Sequence, residues 1–193
     1  MKLSVPYYSQ FVDIQDPFWM LRACGGVCLK MVLEYQLGES KKVPDILSIC
    51  NEAKDNGGYD MVNGWVHDYL VNKAQEFDLQ AHRSEGLTHI TDEIFASLDK
   101  GNPVIVSVEK RVLEQTRFHL IVIVGYENDA EETGTNAVDR GNDSVDMFKI
   151  KPSAYFYYHE PESTDKSRGA YRTCDIETFT NYWRGKAIFI SKK

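Results

Sequence analysis

The chain has 193 residues, which favours one domain, and 42% of them are hydrophobic, enough to bury a core and to exclude disorder as the main state. Lys and Arg number 22 against 29 Asp and Glu, a formal net charge of −7 with no basic block, which argues against a nucleic-acid partner. The longest apolar run, around Leu120–Val124, is far shorter than the ~20 residues of a membrane helix, and the opening MKLSVPYYSQ lacks the apolar core of a signal peptide.

The elements read as follows in chain order. Residues 3–8 suggest a short extended segment. Cys24, Val27, Cys28, Met31 and Tyr35 share one helical face, and Leu29, Val32 and Leu33 widen it, so a helix buried nearly all round is predicted over 24–35, with Gly38 as its stop. A second helix is predicted from Pro44 to about Lys54, with Pro44 in its first turn and Gly57-Gly58 at its end. A third would carry Val62, Trp65, Val66, Tyr69, Leu70 and Phe77, and a fourth would run from about Thr91 to Lys100.

The texture then changes. PVIVSV at 103–108 and FHLIVIVGY at 118–126 are β-branched and apolar, the pattern of buried strands. Residues 127–144 are acidic and rich in Gly, Asn and Thr, and read as an inserted loop, either simply solvated or serving as a lid. Further strands are predicted at 145–151, 154–158 and 186–191, a polar loop at 161–170 and a short helix from Asp175 to about Trp183. Helices first and strands later indicate an α+β fold, with a mostly antiparallel sheet packed against an N-terminal helical part.

Cys24, Cys28, Cys50 and Cys174 are too few for a disulfide scaffold. On one helix the Cβ atoms of Cys24 and Cys28 would stand ~5–6 Å apart, beyond the roughly 3.5–4.5 Å of a disulfide. A zinc site needs about four ligands, typically in two close pairs, and the second pair is missing. Neither metal nor organic cofactor is expected. Free thiols and the absence of a leader suggest a reducing compartment, the cytoplasm, unless a leader was trimmed from a secreted protein.

A nucleophilic cysteine must be available as thiolate near neutral pH. A helix N-terminus favours that charge, and so does a neighbouring imidazolium. Cys24 opens the predicted helix, and Gly25-Gly26 after it would allow close approach of a substrate or another backbone; the competing reading is a small core cysteine. Of five histidines, only His119 opens an apolar strand. His67, His82 and His89 read as surface or capping residues, and His159, beside a carboxylate, is a second candidate base.

These residues bring out a resemblance. VPYYSQ, ACGGVCLKMVL from Ala23, HLIVIVGY from His119, YYHEP from Tyr157 and FTNYWRG from Phe179 follow each other across Val5 to Gly185. Together they resemble the bacteriocin-processing peptidases, family thirty-nine of the papain-like cysteine peptidases, and within it the stand-alone branch. The resemblance implies a papain-like fold over residues 1–193, with a buried catalytic helix. It implies Cys24 as nucleophile, His119 as general base, Gln10 as oxyanion donor and Glu160 in the place of the family's Asp. The partner implied is a peptide or protein substrate. Two departures stand out: Glu where the family has Asp, and a long separation between base and carboxylate. Glu160 follows a predicted strand and precedes Pro161, a position from which a side chain can project into a cleft. Asp139 and Asp146, in or beside the acidic loop, are its competitors.

The function expected is therefore a thiol hydrolase of peptide or isopeptide bonds. Three alternatives stay open: a silent peptide-binding module on the same fold, a thioester acyltransferase, and a structural domain whose cysteines are core. Trp65, Trp183, Met31 and Phe95 are expected in the core, and Trp19 either in the core or on a cleft wall.

Overall fold

The computed structural model describes residues 1–87, 90–112, 115–128 and 154–193. The strand expected at 145–151, residues 129–144 of the expected loop, His89, Asp139 and Asp146 lie outside the described residues.

Helix α1 spans Cys24–Leu37, and nearly all of it is buried. That fits its sequence, which is apolar all round and therefore demands cover on every side. Its one buried cation, Lys30, is held by Glu34 one turn on at 2.7 Å and by the Val43 carbonyl at 3.1 Å, as a buried charge requires. Gly38 ends the helix with φ +56°, a left-handed turn that glycine adopts without strain.

Helix α2, Ile46–Asp55, starts two residues later than the sequence suggests. The Asp45 carboxylate accepts from the Ser48 backbone N–H at 2.9 Å, so Asp45 is the cap and Pro44 lies outside the helix. The third predicted helix is only half correct. Tyr59–Asp60 (β1) and Gly64–Trp65 (β2) form a small antiparallel hairpin, and α3 begins only at His67 and ends at Gln75. Asp60 closes the turn by accepting from the N–H groups of Val62 and Asn63. That local alternative displaces the helical one.

Strand β3 is Gln80–Glu85, α4 is Ile90–Asp99, β4 is Val104–Val112 and β5 is Gln115–Asn128. They are followed by β6 (Ala154–His159), α5 (Lys166–Gly169), β7 (Arg172–Asp175), α6 (Ile176–Tyr182) and β8 (Trp183–Ser191). The sheet order is β3-β8-β4-β5-β6-β7, and every pairing is antiparallel. The segment at 3–8 stays outside the sheet, although the Leu3 N–H reaches the Val124 carbonyl at 2.8 Å. Helix α5 falls within the stretch 161–170 that reads as polar loop, and β7 falls where the sequence suggests no element before the helix expected from Asp175.

Alternate residues of β5 serve two apolar layers. Leu120, Val122 and Val124 join α1, α2 and α3 on one face, while Ile121 and Ile123 join Ile94, Leu98 and Phe179 of α4 and α6 on the other. The sheet is thus covered on both faces, and the α+β class read from the sequence holds. Among the described residues, no helix is long and apolar enough to cross a membrane.

Candidate active site

Cys24 is the first residue of α1, and the Ala23 cap offers its first turn no side-chain acceptor. The free N–H groups and the positive end of the dipole are therefore directed at the Cys24 region. Gly25 and Gly26 are required there, but not for the reason their sequence suggests. A Cβ on Gly25 would collide with the Trp65 indole, and one on Gly26 with the Cys50 sulfur. Within the protein it is the Trp65 and Cys50 side chains that approach the helix start there. The indole is fixed by its Nε1–H, which donates to the Arg22 carbonyl at 2.7 Å.

His119 lies on β5, and two strand registers place its carboxylate. Val122 pairs with His159 across β5 and β6, so Glu160, the residue after β6, falls beside the His119 end of β5. His119 Nε2 and Glu160 Oε1 are 2.6 Å apart. The same oxygen accepts from the Glu162 backbone N–H at 2.9 Å. The Glu160 backbone is itself pinned: its N–H donates to the Gly169 carbonyl at 2.9 Å, and its carbonyl accepts from the Tyr7 hydroxyl at 2.7 Å. Lys110 stands 4.0 Å from Glu160 Oε2.

The electrostatics follow from these contacts. Burial disfavours ionised Glu160, yet the His119 hydrogen bond and charge, with Lys110 and the Glu162 N–H, hold it down at about 2. Burial likewise disfavours a charged His119 ring, yet hydrogen bonding and charge from Cys24 and Glu160 outweigh it and push the ring up to about 9. With Nε2 on Glu160, Nδ1 is the ring nitrogen left for Cys24, and it has no hydrogen-bond partner among the described residues. Cys24 is thus a group that raises the ring electrostatically, with no hydrogen bond to Nδ1 among the described residues.

Cys24 and His119 both line an open cleft of about 640 Å³. Gln10 is not among its lining residues and is fully buried. Its Nε2 donates to the Met20 carbonyl at 2.8 Å, which uses one of two N–H bonds, and its Oε1 has no partner among the described residues.

A family model described as the Peptidase_C39 like family matches residues 2–187. The chain belongs to that family. Among solved structures, the C39-like chain is similar to a double glycine motif protease from an AMS/PCAT transporter, solved in complex with the leader peptide. The two share 16% identity, with a TM-score of 0.54 over 100% of this chain and 94% of that one. It is similar, too, to the peptidase domain of Streptococcus ComA, a bi-functional ABC transporter involved in a quorum sensing pathway. There the identity is 16% and the TM-score 0.53, over 90% of this chain and 93% of that one. At that identity the likeness shows the fold, which is that of the papain-like C39 peptidase domains. No curated protein matches significantly.

Other expectations resolve within this C39-like fold. His159, the second candidate base, is fully buried on the opposite side of its strand from the Glu160–His119 contact. Its Nε2 lies 3.0 Å from the Val5 carbonyl, and its Nδ1 accepts from the Tyr171 N–H at 3.1 Å. Both ring nitrogens are thus spent on the fold. Trp19 is core, with its Nε1–H on Asn51. Trp65, expected in the core, packs against it half-buried and also lines the cleft, as do Phe118, Ser107 and Arg184. Sequence reasoning missed these four, because the hairpin and the β4–β8 pairing that place them are non-local.

The other thiols are held neutral. Burial raises Cys28 and Cys50 far above the ordinary thiol value and raises Cys174 as well, while Cys28 also donates to the Leu120 carbonyl. Timed iodoacetamide labelling at pH 6 with mass spectrometry is expected to modify Cys24 first. Earlier labelling of Cys50 or Cys174 would contradict the assignment of the nucleophile.

Proposed function

We propose that the protein is a cysteine peptidase-like thiol hydrolase that cleaves a peptide or isopeptide bond through Cys24, His119 and Glu160. The observation that carries this reading is His119: buried, hydrogen-bonded to a carboxylate on one side, acted on by Cys24 on the other, and on the wall of an open cleft. The match over residues 2–187 and a sheet shared by both apolar layers support taking the chain as one catalytic domain.

In the proposed reaction the Cys24 thiolate attacks the substrate carbonyl carbon and forms a C–S bond. The carbonyl electron pair moves onto oxygen. As the tetrahedral species collapses, the C–N bond breaks and the amine leaves with the proton of His119. Neutral His119 then takes a proton from water, whose oxygen attacks the thioester. The acid leaves, and Cys24 thiolate and His119 imidazolium are restored. Glu160 fixes the ring and stabilises its charge. The solved relative in complex with a leader peptide supports a peptide segment as substrate.

Gln10 is proposed as a donor to the oxyanion through the N–H that Met20 leaves free, together with the Cys24 backbone N–H. Gln10→Ala is then expected to lower kcat by roughly 10²–10³ with little change in KM, the cost of removing one oxyanion donor. An unchanged kcat would make the buried carboxamide a purely structural link to Met20.

A peptide-library cleavage profile of the wild type beside Cys24→Ala tests the function as a whole. Cleavage lost in the variant, and covalent capture of Cys24 by a peptide vinyl sulfone, are expected. No cleavage and no capture would indicate a binding module, and diversion of the acyl group to an added amine in preference to water an acyltransferase.

A further inference from the structure

We propose that Arg184 binds a carboxylate on the leaving-group side of the scissile bond, so that the cleft selects peptides with an acidic residue or a free C-terminus there. The proposal rests on the hydrolase reading above and adds the substrate class to it.

The chain carries a net charge of −7, yet among the described residues no Asp or Glu lines its cleft, while Arg22, Arg117 and Arg184 do. The three cations are not equivalent. Arg117 is neutralised by Glu162 at 3.1 Å. Arg22 lies over the Phe18 ring and donates to the Phe18 carbonyl, and Phe18 is not part of the cleft wall. Arg184 has no ion pair among the described residues. Its guanidinium carbon sits 3.4 Å from the centroid of the Phe118 ring, and its Nη1 donates to the Ser107 hydroxyl at 3.1 Å. Glu109 and Glu85 act on it only at a distance, and Glu85 is engaged by Arg83 and Lys186.

Arg184 is therefore positioned but not neutralised. Stacking on Phe118 fixes the plane of the fork, and Ser107 takes one of its five N–H donors. The remaining edge is preorganised for a bidentate carboxylate, which reduces the ordering cost of binding. Such a site would contribute little if it were fully wet, but Arg184 is only partly exposed.

The side of the bond follows from the chemistry of His119. His119 gives its proton to the departing amine, so the leaving fragment lies along the wall that carries His119. Arg184 belongs to that wall. β8 pairs with β4 next to Ser107, and the ring beneath the guanidinium belongs to Phe118, the residue before His119. Trp65, at the end of the β1–β2 hairpin, packs instead on Gly25 at the start of α1 and so belongs to the wall that carries Cys24.

The test uses matched peptides from the cleavage library, with Glu or Gln at the first two leaving-side positions and a free or amidated C-terminus. For the wild type, kcat/KM is expected to favour the carboxylate by about tenfold to a hundredfold, mainly through KM, the usual size of a charge-assisted recognition contact. In Arg184→Gln that ratio should fall toward one, and Arg184→Lys, with charge but no fork, should keep part of it. Thermal melting of each variant establishes that it is folded. A ratio carried by Glu over Gln identifies an internal acidic residue, and one carried by free over amidated ends identifies the C-terminus. A wild-type ratio near one, or a ratio that survives Arg184→Gln, overturns the proposal. Anisotropy of labelled peptides on Cys24→Ala separates the two readings. Arg184-dependent carboxylate binding without wild-type turnover would sink the hydrolase and keep the carboxylate site. Turnover indifferent to Arg184 would do the reverse.

Discussion

Cys24→Ala and His119→Ala are each expected to lower kcat on the best library peptide by on the order of 10⁵–10⁶, and the double variant to be no worse than either. In the proposed reaction the two residues act as one device. Without the thiol there is no nucleophile. Without the ring, nothing holds the thiolate at the mouth of α1 or protonates the leaving amine. The pH profile carries a second signature. His119 is pushed up to about 9, so kcat/KM should stay high through neutral pH and fall as pH rises past about 9, when the imidazolium is lost. Stability should follow in the same direction. A ring raised from 6.5 to about 9 contributes stability that is fully present below pH 6.5 and lost as pH rises through about 9. Cys24→Ala removes one of the groups that raise the ring, so its alkaline loss of stability should begin at lower pH. A wild-type enzyme whose activity falls well before pH 9, or a Cys24→Ala protein with unaltered turnover, would contradict the pairing.

The parts of the site that were legible in the sequence are those set by local pattern. Cys24 was readable because helical spacing begins at it, and His119 because an apolar strand begins at it; both signals come from a few adjacent residues. Gln10 and Glu160 became visible only through the order of short motifs along the whole chain. The hairpin at 59–65 was hidden by coincidence. Val62, Trp65 and Val66 fall at helical spacing, and strands of two residues carry no periodicity of their own. Trp65 was assigned to the core because an apolar ring at helical spacing usually belongs there. The contact that brings it to the cleft, its stacking on Gly25, joins two segments far apart in the chain. Arg184 was equally opaque. Its partners Phe118 and Ser107 sit on different strands, and only the register of β4 with β5 and β8 brings them together.

Glu160→Ala is expected to lower kcat by about 10²-fold, clearly but less than the loss of Cys24 or His119, because the thiolate–imidazolium pair supplies most of the activation. The geometry is compatible with the proposed role of Glu160 as the orienting carboxylate. Glu160 lies just past the end of β6, with its backbone clamped by Gly169 and Tyr7, so its longer side chain starts from a fixed point and reaches His119 Nε2 at 2.6 Å. Glu160→Asp keeps the charge but withdraws it by one methylene, and should also forfeit the Glu162 N–H that braces the same oxygen. Glu160→Gln keeps an acceptor for the ring N–H and should retain more activity than Glu160→Ala. It loses the charge, however, and that shows in the pH profile. Glu160 is one of the groups that raise His119, so both substitutions should move the alkaline limb of kcat/KM below about 9. A merely structural carboxylate would lower yield or melting temperature without moving that limb. The acid side gives an independent reading. Glu160 is held at about 2 against an ordinary 4.5, so its contribution to stability is present above pH 4.5 and is lost as pH falls through about 2. Acid unfolding of Glu160→Gln should lack that component. If Asp139→Ala or Asp146→Ala removes activity while Glu160→Ala is silent and leaves the alkaline limb in place, the orienting carboxylate comes from the acidic loop and not from the end of β6.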